Sequence, residues 1–169
     1  MEEDDIWIRL NNGWEFSGIG RQLEGQTEGH GFGWALWQPG YVARPWPYGE
    51  LKPGFTYYLC DKGFGERAVT ARATVVRDPL TVKVHSVQDA FDALLELMFD
   101  DLTWMPHEVW HANPYNRLKF DSPWPQRLTA WRVVTEPFGP LFRSELARFP
   151  RCGWLKSPAT ILGEEALSP

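Results

Sequence analysis

Residues 67–77, with the sequence RAVTARATVVR, alternate between small apolar and polar side chains. A period of two places successive side chains on opposite faces of a strand, so this segment predicts a β-strand with one buried face. The buried face consists of Ala and Val, whose small side chains suit the wall of a tightly closed barrel. The segment therefore favours a small β-barrel.

Further short strands surround this segment and are separated by Gly- and Pro-rich connections. The pattern predicts strands over residues 5–10, 33–38, 55–60, 81–85 and 128–135, with a last strand edge at residues 153–155. Residues 11–33 are predicted to be mostly irregular, and residues 61–65 to form a hairpin turn. The predicted fold class is α+β, a small mixed or antiparallel β-barrel with two to three flanking helices.

The clearest predicted helix begins after Ser86. Ser86 and Asp89 have the spacing of a capping box. Apolar residues at 87, 90, 91, 94, 95 and 98 then share one helical face, and the helix is expected to end near Asp100 and to cover one opening of the barrel. A shorter helix is predicted over residues 140–149. Residues 102–126 predict a long loop of the kind that is functional or mobile in a compact domain.

The chain of 169 residues has the usual size of a single domain. We divide it into an N-terminal extension with a short strand at residues 1–32, a domain at residues 33–156 and a loose tail at residues 157–169. The acidic start and the lack of a long apolar run predict an intracellular, cytoplasmic protein with no membrane partner. Cys60 and Cys152 are too few for a disulfide framework and predict buried, reduced thiols.

The ten Trp residues are more than a core of this size easily buries. Trp7, Trp34 and Trp131 fall inside strand patterns and are expected in the core. Several others are expected to line a pocket or an exposed surface, where function should be sought. The net charge of −5 argues against a general polyanion binder. Residues 117–156 nevertheless carry eight basic against three acidic side chains, and predict a locally positive end of the fold.

An enzymatic alternative rests on the motif HEVWH at residues 107–111. In zinc hydrolases this spacing places two ligands, here His107 and His111, on one helix face, with the Glu as general base. Pro106 and Pro114 limit a helix at this point to about two turns, and no third His follows to complete a zinc site. The prediction is a binding module rather than an enzyme, with no metal and no cofactor, and the zinc-dependent hydrolase stays open as an alternative.

Three segments resemble the opening half of the EVE and YTH domains of the PUA-like superfamily. They are WALWQP at residues 34–39, LKPGFTYYL at residues 51–59 and the strand through TVV at residues 74–76. WRVV at residues 131–134, the segment at residues 141–146 and GWL at residues 153–155 are similar to the closing half of that family. The resemblance covers about residues 33–156 and implies a PUA-like barrel.

The resemblance also implies a ligand. In this family a modified base is flipped out of its strand and held by aromatic side chains. The implied pocket consists of Trp37, Trp46, Tyr57, Trp104 and Trp110, with Gln38, Asp61 and Asn113 reading the base edge. Arg117, Lys119 and Arg127 would then contact the phosphate backbone.

The function expected on this basis is recognition of modified DNA or RNA, with cytosine or adenine as the modified base. Such a module suits the recognition domain of a modification-dependent restriction system, and a fused or associated nuclease is a candidate partner. A PUA-like domain that binds a small molecule or a protein is the remaining alternative.

Overall fold

The computed structural model describes residues 4–10, 29–38, 47, 49–61, 66–98, 121–149 and 154–163. The strands are β1 (Asp5–Leu10), β2 (Gly29–Trp37), β3 (Thr56–Asp61), β4 (Ala68–Val75), β5 (Leu80–Val84), β6 (Gln126–Phe142) and β7 (Trp154–Pro158). In the described part of the chain there is one α-helix, α1 (Val87–Met98), and there are two 3₁₀ helices, Ser144–Ala147 and Ala159–Leu162.

The described strands form one sheet in the order β2-β6-β4-β3-β1-β7, with β5 also paired to β6. β1 and β3 are parallel, and the other described pairs are antiparallel. β2 occupies one edge of β6, whereas β5 and β4 follow each other along the opposite edge. The sheet curls into a half-barrel. A small barrel-like fold of mostly β-structure is therefore confirmed, and membership of the PUA-like superfamily stays a prediction.

The inner face of the half-barrel holds an aromatic cluster. Tyr57, Trp131 and Trp154 are almost completely buried there, and the rings of Tyr57 and Trp131 lie 5.1 and 6.1 Å from that of Trp154. Ala71 and Ala73 of β4 contribute the small side chains of this cluster. The small inner face predicted for the β4 segment is confirmed, because large rings from neighbouring strands fill the space that the alanines leave.

β2 begins earlier than the sequence pattern predicts. Gly29–Trp37 pairs with β6 along its whole length, although the Gly-rich stretch before Gly33 is expected to be irregular. Gly33 lies opposite Trp131, and a Cβ added at Gly33 would lie 2.4 Å from Cζ2 of that indole. This glycine therefore provides the space into which Trp131 packs, and does not mark a turn.

α1 packs against the outer face of β2, β5 and β6. Trp34 and Leu128 point outward between inner-facing neighbours, and they belong to one buried cluster with Ala90 and Phe91 of the helix. The core positions predicted for Trp7, Trp34 and Trp131 are thus confirmed. α1 covers a face of the sheet, so the expectation that it covers an opening of the barrel is wrong.

One of the two bonds of the predicted capping box is present at the start of α1. The backbone N–H of Asp89 donates to Ser86 Oγ at 3.0 Å. The Asp89 carboxylate in turn accepts a hydrogen bond of 2.8 Å from the backbone N–H of His85. The first bond satisfies a donor that lacks a partner inside the first turn of the helix, which explains why α1 begins at this point. The second bond goes to the residue ahead of Ser86, whereas a complete capping box would use the N–H of Ser86 itself.

The C-terminal part departs from the predicted pattern. β6 continues to Phe142 because Ala68 and Val69 pair with Phe142 and Leu141, so the helix predicted over residues 140–149 is wrong. A single 3₁₀ turn, Ser144–Ala147, follows instead. Pairing with a neighbouring strand overrides the local helical pattern, as tertiary contacts often do.

The predicted loose tail is wrong for the described C-terminal residues. β7 pairs with β1 through Pro158, and Ile161 and Leu162 of the next 3₁₀ helix are buried in a cluster with Ile8 and Leu146. β1, which the sequence pattern assigns to an N-terminal extension, lies between β3 and β7. The described residues nearest to each terminus therefore contribute to the sheet and its packing.

Candidate functional site

Three side chains form a row across the sheet where β2 ends and β6 begins. Trp37 of β2 pairs with Arg127 of β6, and Arg127 pairs with Lys83 of β5. Residues that are directly opposite on neighbouring strands point to the same face of a sheet, so these three side chains lie side by side. Trp37 is half-buried, whereas Arg127 and Lys83 are exposed. We call this set the Trp37 row.

The Trp37 ring is held in place by a buried hydroxyl. Its indole Nε1–H donates to Thr129 Oγ1 at 2.9 Å, and Thr81 Oγ1 lies 3.1 Å from the same oxygen. An indole nitrogen can only donate, so Thr129 is the acceptor in the first of these bonds. Two hydroxyls therefore fix the direction of the ring at the end of β2.

The Arg127 guanidinium lies beside the same ring. Its central carbon is 5.9 Å from the centre of the Trp37 ring, near the outer limit of a cation–π contact. The two side chains consequently present an aromatic surface and a positive charge next to each other.

The electrostatics of the Trp37 row are unusual for a sheet. Arg127 and Lys83 lie directly opposite each other, an arrangement in which like charges repel and destabilise a strand pair. In the described part of the chain neither cation forms a salt bridge with an acidic side chain. The row therefore holds two adjacent positive charges whose repulsion an anionic ligand would relieve.

Gln38 and Tyr57 are the other predicted ligand-binding residues with described side chains. The Gln38 amide Nε2–H donates to the carbonyl of Pro123, which ties the end of β2 to the segment ahead of β6. Tyr57 is 0% exposed, and its hydroxyl accepts a hydrogen bond of 2.9 Å from Trp131 Nε1. Tyr57 thus belongs to the inner aromatic cluster and offers no exposed surface to a ligand.

The other predicted site residues cannot be placed relative to the Trp37 row. Asp61 is the last residue of β3. The remainder lie outside the described residues: Trp46, Trp104, His107, Trp110, His111, Asn113, Arg117 and Lys119. Among the described residues, no group of three or more His, Cys, Asp or Glu side chains is arranged to hold a metal ion.

The sequence pattern indicated no role for Lys83, Thr81 or Thr129. Alternation places Thr81 and Lys83 on one face of β5, but the pattern does not show that this face adjoins Arg127. The register between β5 and β6 brings Lys83 to Arg127 and Thr81 to Thr129. The register between β2 and β6 brings Trp37 to Arg127 and Thr129.

Comparison with protein-family models, with curated proteins and with solved structures finds no match. No helix in the described ranges has both the length and the apolar character needed to cross a bilayer.

Proposed function

We propose that this chain is a nucleic-acid-binding module in which the Trp37 ring stacks on a base and Arg127 contacts a phosphate. The observation that carries the proposal is the Trp37 row, where an oriented indole lies beside Arg127 and Lys83 follows on the next strand. Neither cation has an acidic partner among the described residues. Proteins that bind single-stranded nucleic acid commonly combine aromatic rings, on which bases stack, with positive charges that follow the nucleic-acid backbone.

The hydrogen bonding of Trp37 favours stacking over edge recognition. Its N–H is already bonded to Thr129, so a base would contact a face of the ring and not its polar edge. Stacking of one base on an aromatic side chain contributes about 1–3 kcal/mol and tolerates any base. Selection among bases must therefore come from other groups around the stacked ring.

The proposed preference is for a modified base, in keeping with the resemblance to EVE and YTH domains. A base that stacks on Trp37 must leave its own strand, and extrusion costs least where the base is damaged, mismatched or already in a single strand. We expect modified cytosine or adenine in DNA or RNA to be the ligand.

The test compares Trp37→Ala with the wild-type protein on single-stranded oligonucleotides that are identical except for one modified cytosine or adenine. Binding, followed by fluorescence anisotropy, should weaken by about 1–3 kcal/mol in Trp37→Ala because the stacking surface is lost. Phe142→Ala is the matched control, since Phe142 is 41% exposed at the far end of β6 and should leave the affinity unchanged.

The outcomes separate the alternatives. Equal affinity of Trp37→Ala and wild type contradicts stacking at Trp37, and equal affinity for modified and plain strands contradicts the preference for a modified base. Binding of a small molecule or a protein, without binding of any oligonucleotide, would favour the alternative of a PUA-like domain that binds such a ligand. One equivalent of tightly held zinc that is lost in His107→Ala would favour the hydrolase.

A further inference from the structure

We infer that the bound nucleic acid crosses β2, β6 and β5 along the Trp37 row, and that Lys83 is a second phosphate contact. This inference rests on the proposed function and adds the direction and extent of the ligand. Its ligand is a single nucleotide unit, one base with two flanking phosphates, within a single-stranded or extruded segment.

The direction follows from which inner-face residues are exposed. Beyond Arg127, the next residues of β6 on this face are Thr129, Trp131 and Val133, and all are buried. A ligand lying along β6 would therefore lose contact with exposed side chains after one residue. On the other side of the row, ahead of the start of β6, the bond from Gln38 to Pro123 joins the end of β2 to the preceding segment.

Across the β-strands, by contrast, half-buried or exposed side chains follow one another. Trp37, Arg127 and Lys83 are successive partners on β2, β6 and β5, and neighbouring strands lie about 4.8 Å apart. The backbone positions of Trp37 and Lys83 are consequently separated by roughly 10 Å, twice the strand spacing. The aromatic ring stands at one end of the row and the two positive charges follow it.

The number of charges sets the extent of the ligand. Arg127 and Lys83 can each neutralise one phosphate, and Trp37 can stack on one base. Repulsion between the two directly opposite cations disfavours the unbound sheet, and binding of phosphate beside each of them removes that penalty. A nucleotide that carries both the 5′ and the 3′ phosphate should therefore bind better than one that carries a single phosphate.

The experiment measures the salt dependence of oligonucleotide binding in Lys83→Ala, Lys83→Arg and Arg127→Ala. Each single-strand phosphate contact contributes a slope of about 0.7 in a plot of log affinity against log salt concentration. Lys83→Ala and Arg127→Ala should each reduce the slope by about 0.7 and weaken binding roughly tenfold at low salt. Lys83→Arg should keep the wild-type slope because it keeps the charge.

Lys52→Ala is the matched control, since Lys52 is an exposed lysine in the turn before β3, outside the row. A second measurement compares a nucleoside 3′,5′-bisphosphate with the two monophosphates, and only Lys83→Ala or Arg127→Ala should abolish the advantage of the bisphosphate. If Lys83→Ala behaves like Lys52→Ala while Trp37→Ala still weakens binding, the proposed path is overturned and the proposed function stands. If the wild-type protein binds no oligonucleotide, the proposed function itself fails.

Discussion

The hydroxyl of Thr129 is the direct hydrogen-bond partner that orients the Trp37 ring. Thr129 Oγ1 accepts the indole N–H, and replacing Thr129 by Val keeps the shape of the side chain but removes this acceptor. We expect Thr129→Val to weaken oligonucleotide binding by about 1 kcal/mol, because the ring loses its fixed direction. Thr129→Ser, which keeps the hydroxyl, should bind like the wild type.

An NMR measurement separates this positioning role from a general loss of structure. The Nε1–H resonance of Trp37, assigned by its disappearance in Trp37→Phe, should shift in Thr129→Val and stay in place in Thr129→Ser. An unshifted resonance together with wild-type affinity in Thr129→Val would show that the hydroxyl does not orient the ring.

Residue types and the family resemblance predicted a ligand contact for Trp37, Gln38 and Arg127, and the structure brings these three residues to the same end of β2 and β6. The same signals did not point to Lys83. Its place beside Arg127 depends on the pairing register between β5 and β6, which the alternation of side chains alone leaves open. For Tyr57 the residue type led to a ligand-binding prediction that the burial of its side chain does not support. Its residue type suits a ligand pocket, and only the packing of Trp131 and Trp154 around it reveals a core residue.

At the scale of single elements, β2 depends on Gly33 for the packing of Trp131. A Cβ at position 33 would lie 2.4 Å from the indole of Trp131, whose Nε1–H is bonded to the Tyr57 hydroxyl. Gly33→Ala should therefore lower the free energy of unfolding by about 1–3 kcal/mol, the usual cost of overpacking a core. Chemical denaturation measures this change.

Gly49→Ala is the control for this prediction. Gly49 is exposed, and a Cβ added there would have no atom within 4 Å. The substitution should change stability little, or increase it slightly by restricting the unfolded chain. A Gly33→Ala protein as stable as Gly49→Ala would mean that Trp131 can move aside at no cost.

Elements with a strong local signal were predicted well, and elements decided by pairing were not. The capping box at Ser86 placed the start of α1, and the alternation in residues 67–77 identified β4. The start of β2 at residues 29–32 and the end of β6 were misread, because their sequences contain Gly and Pro that locally favour turns or a helix start. Their strand conformation depends on partners distant in sequence, chiefly β6 for the first and β4 for the second.

At the scale of the whole molecule, Arg9 joins two strands that are distant in the sheet. β1 is separated from β2 by β3, β4 and β6 along the sheet order, yet Arg9 Nη2–H donates to the backbone carbonyl of Trp34 at 2.9 Å. The guanidinium carbon also lies 4.8 Å from the ring of Trp154 and 5.4 Å from that of Trp131. One side chain, 1% exposed, thus links two strands that lie far apart in the order of the described sheet.

Loss of this bridge should loosen β2, which carries Trp37. We expect Arg9→Met, which keeps the apolar stem, to lower the free energy of unfolding by about 1.5–3 kcal/mol, the contribution of a hydrogen bond to a charged group. Backbone amides of β2 should then exchange with solvent faster than those of β3. Arg72→Met is the matched control, because Arg72 forms an exposed ion pair with Glu136 and its loss should cost no more than about 1 kcal/mol. Replacing a buried cation by an apolar side chain can also stabilise a core. An Arg9→Met protein as stable as Arg72→Met would therefore contradict a stabilising link between β1 and β2 through Arg9.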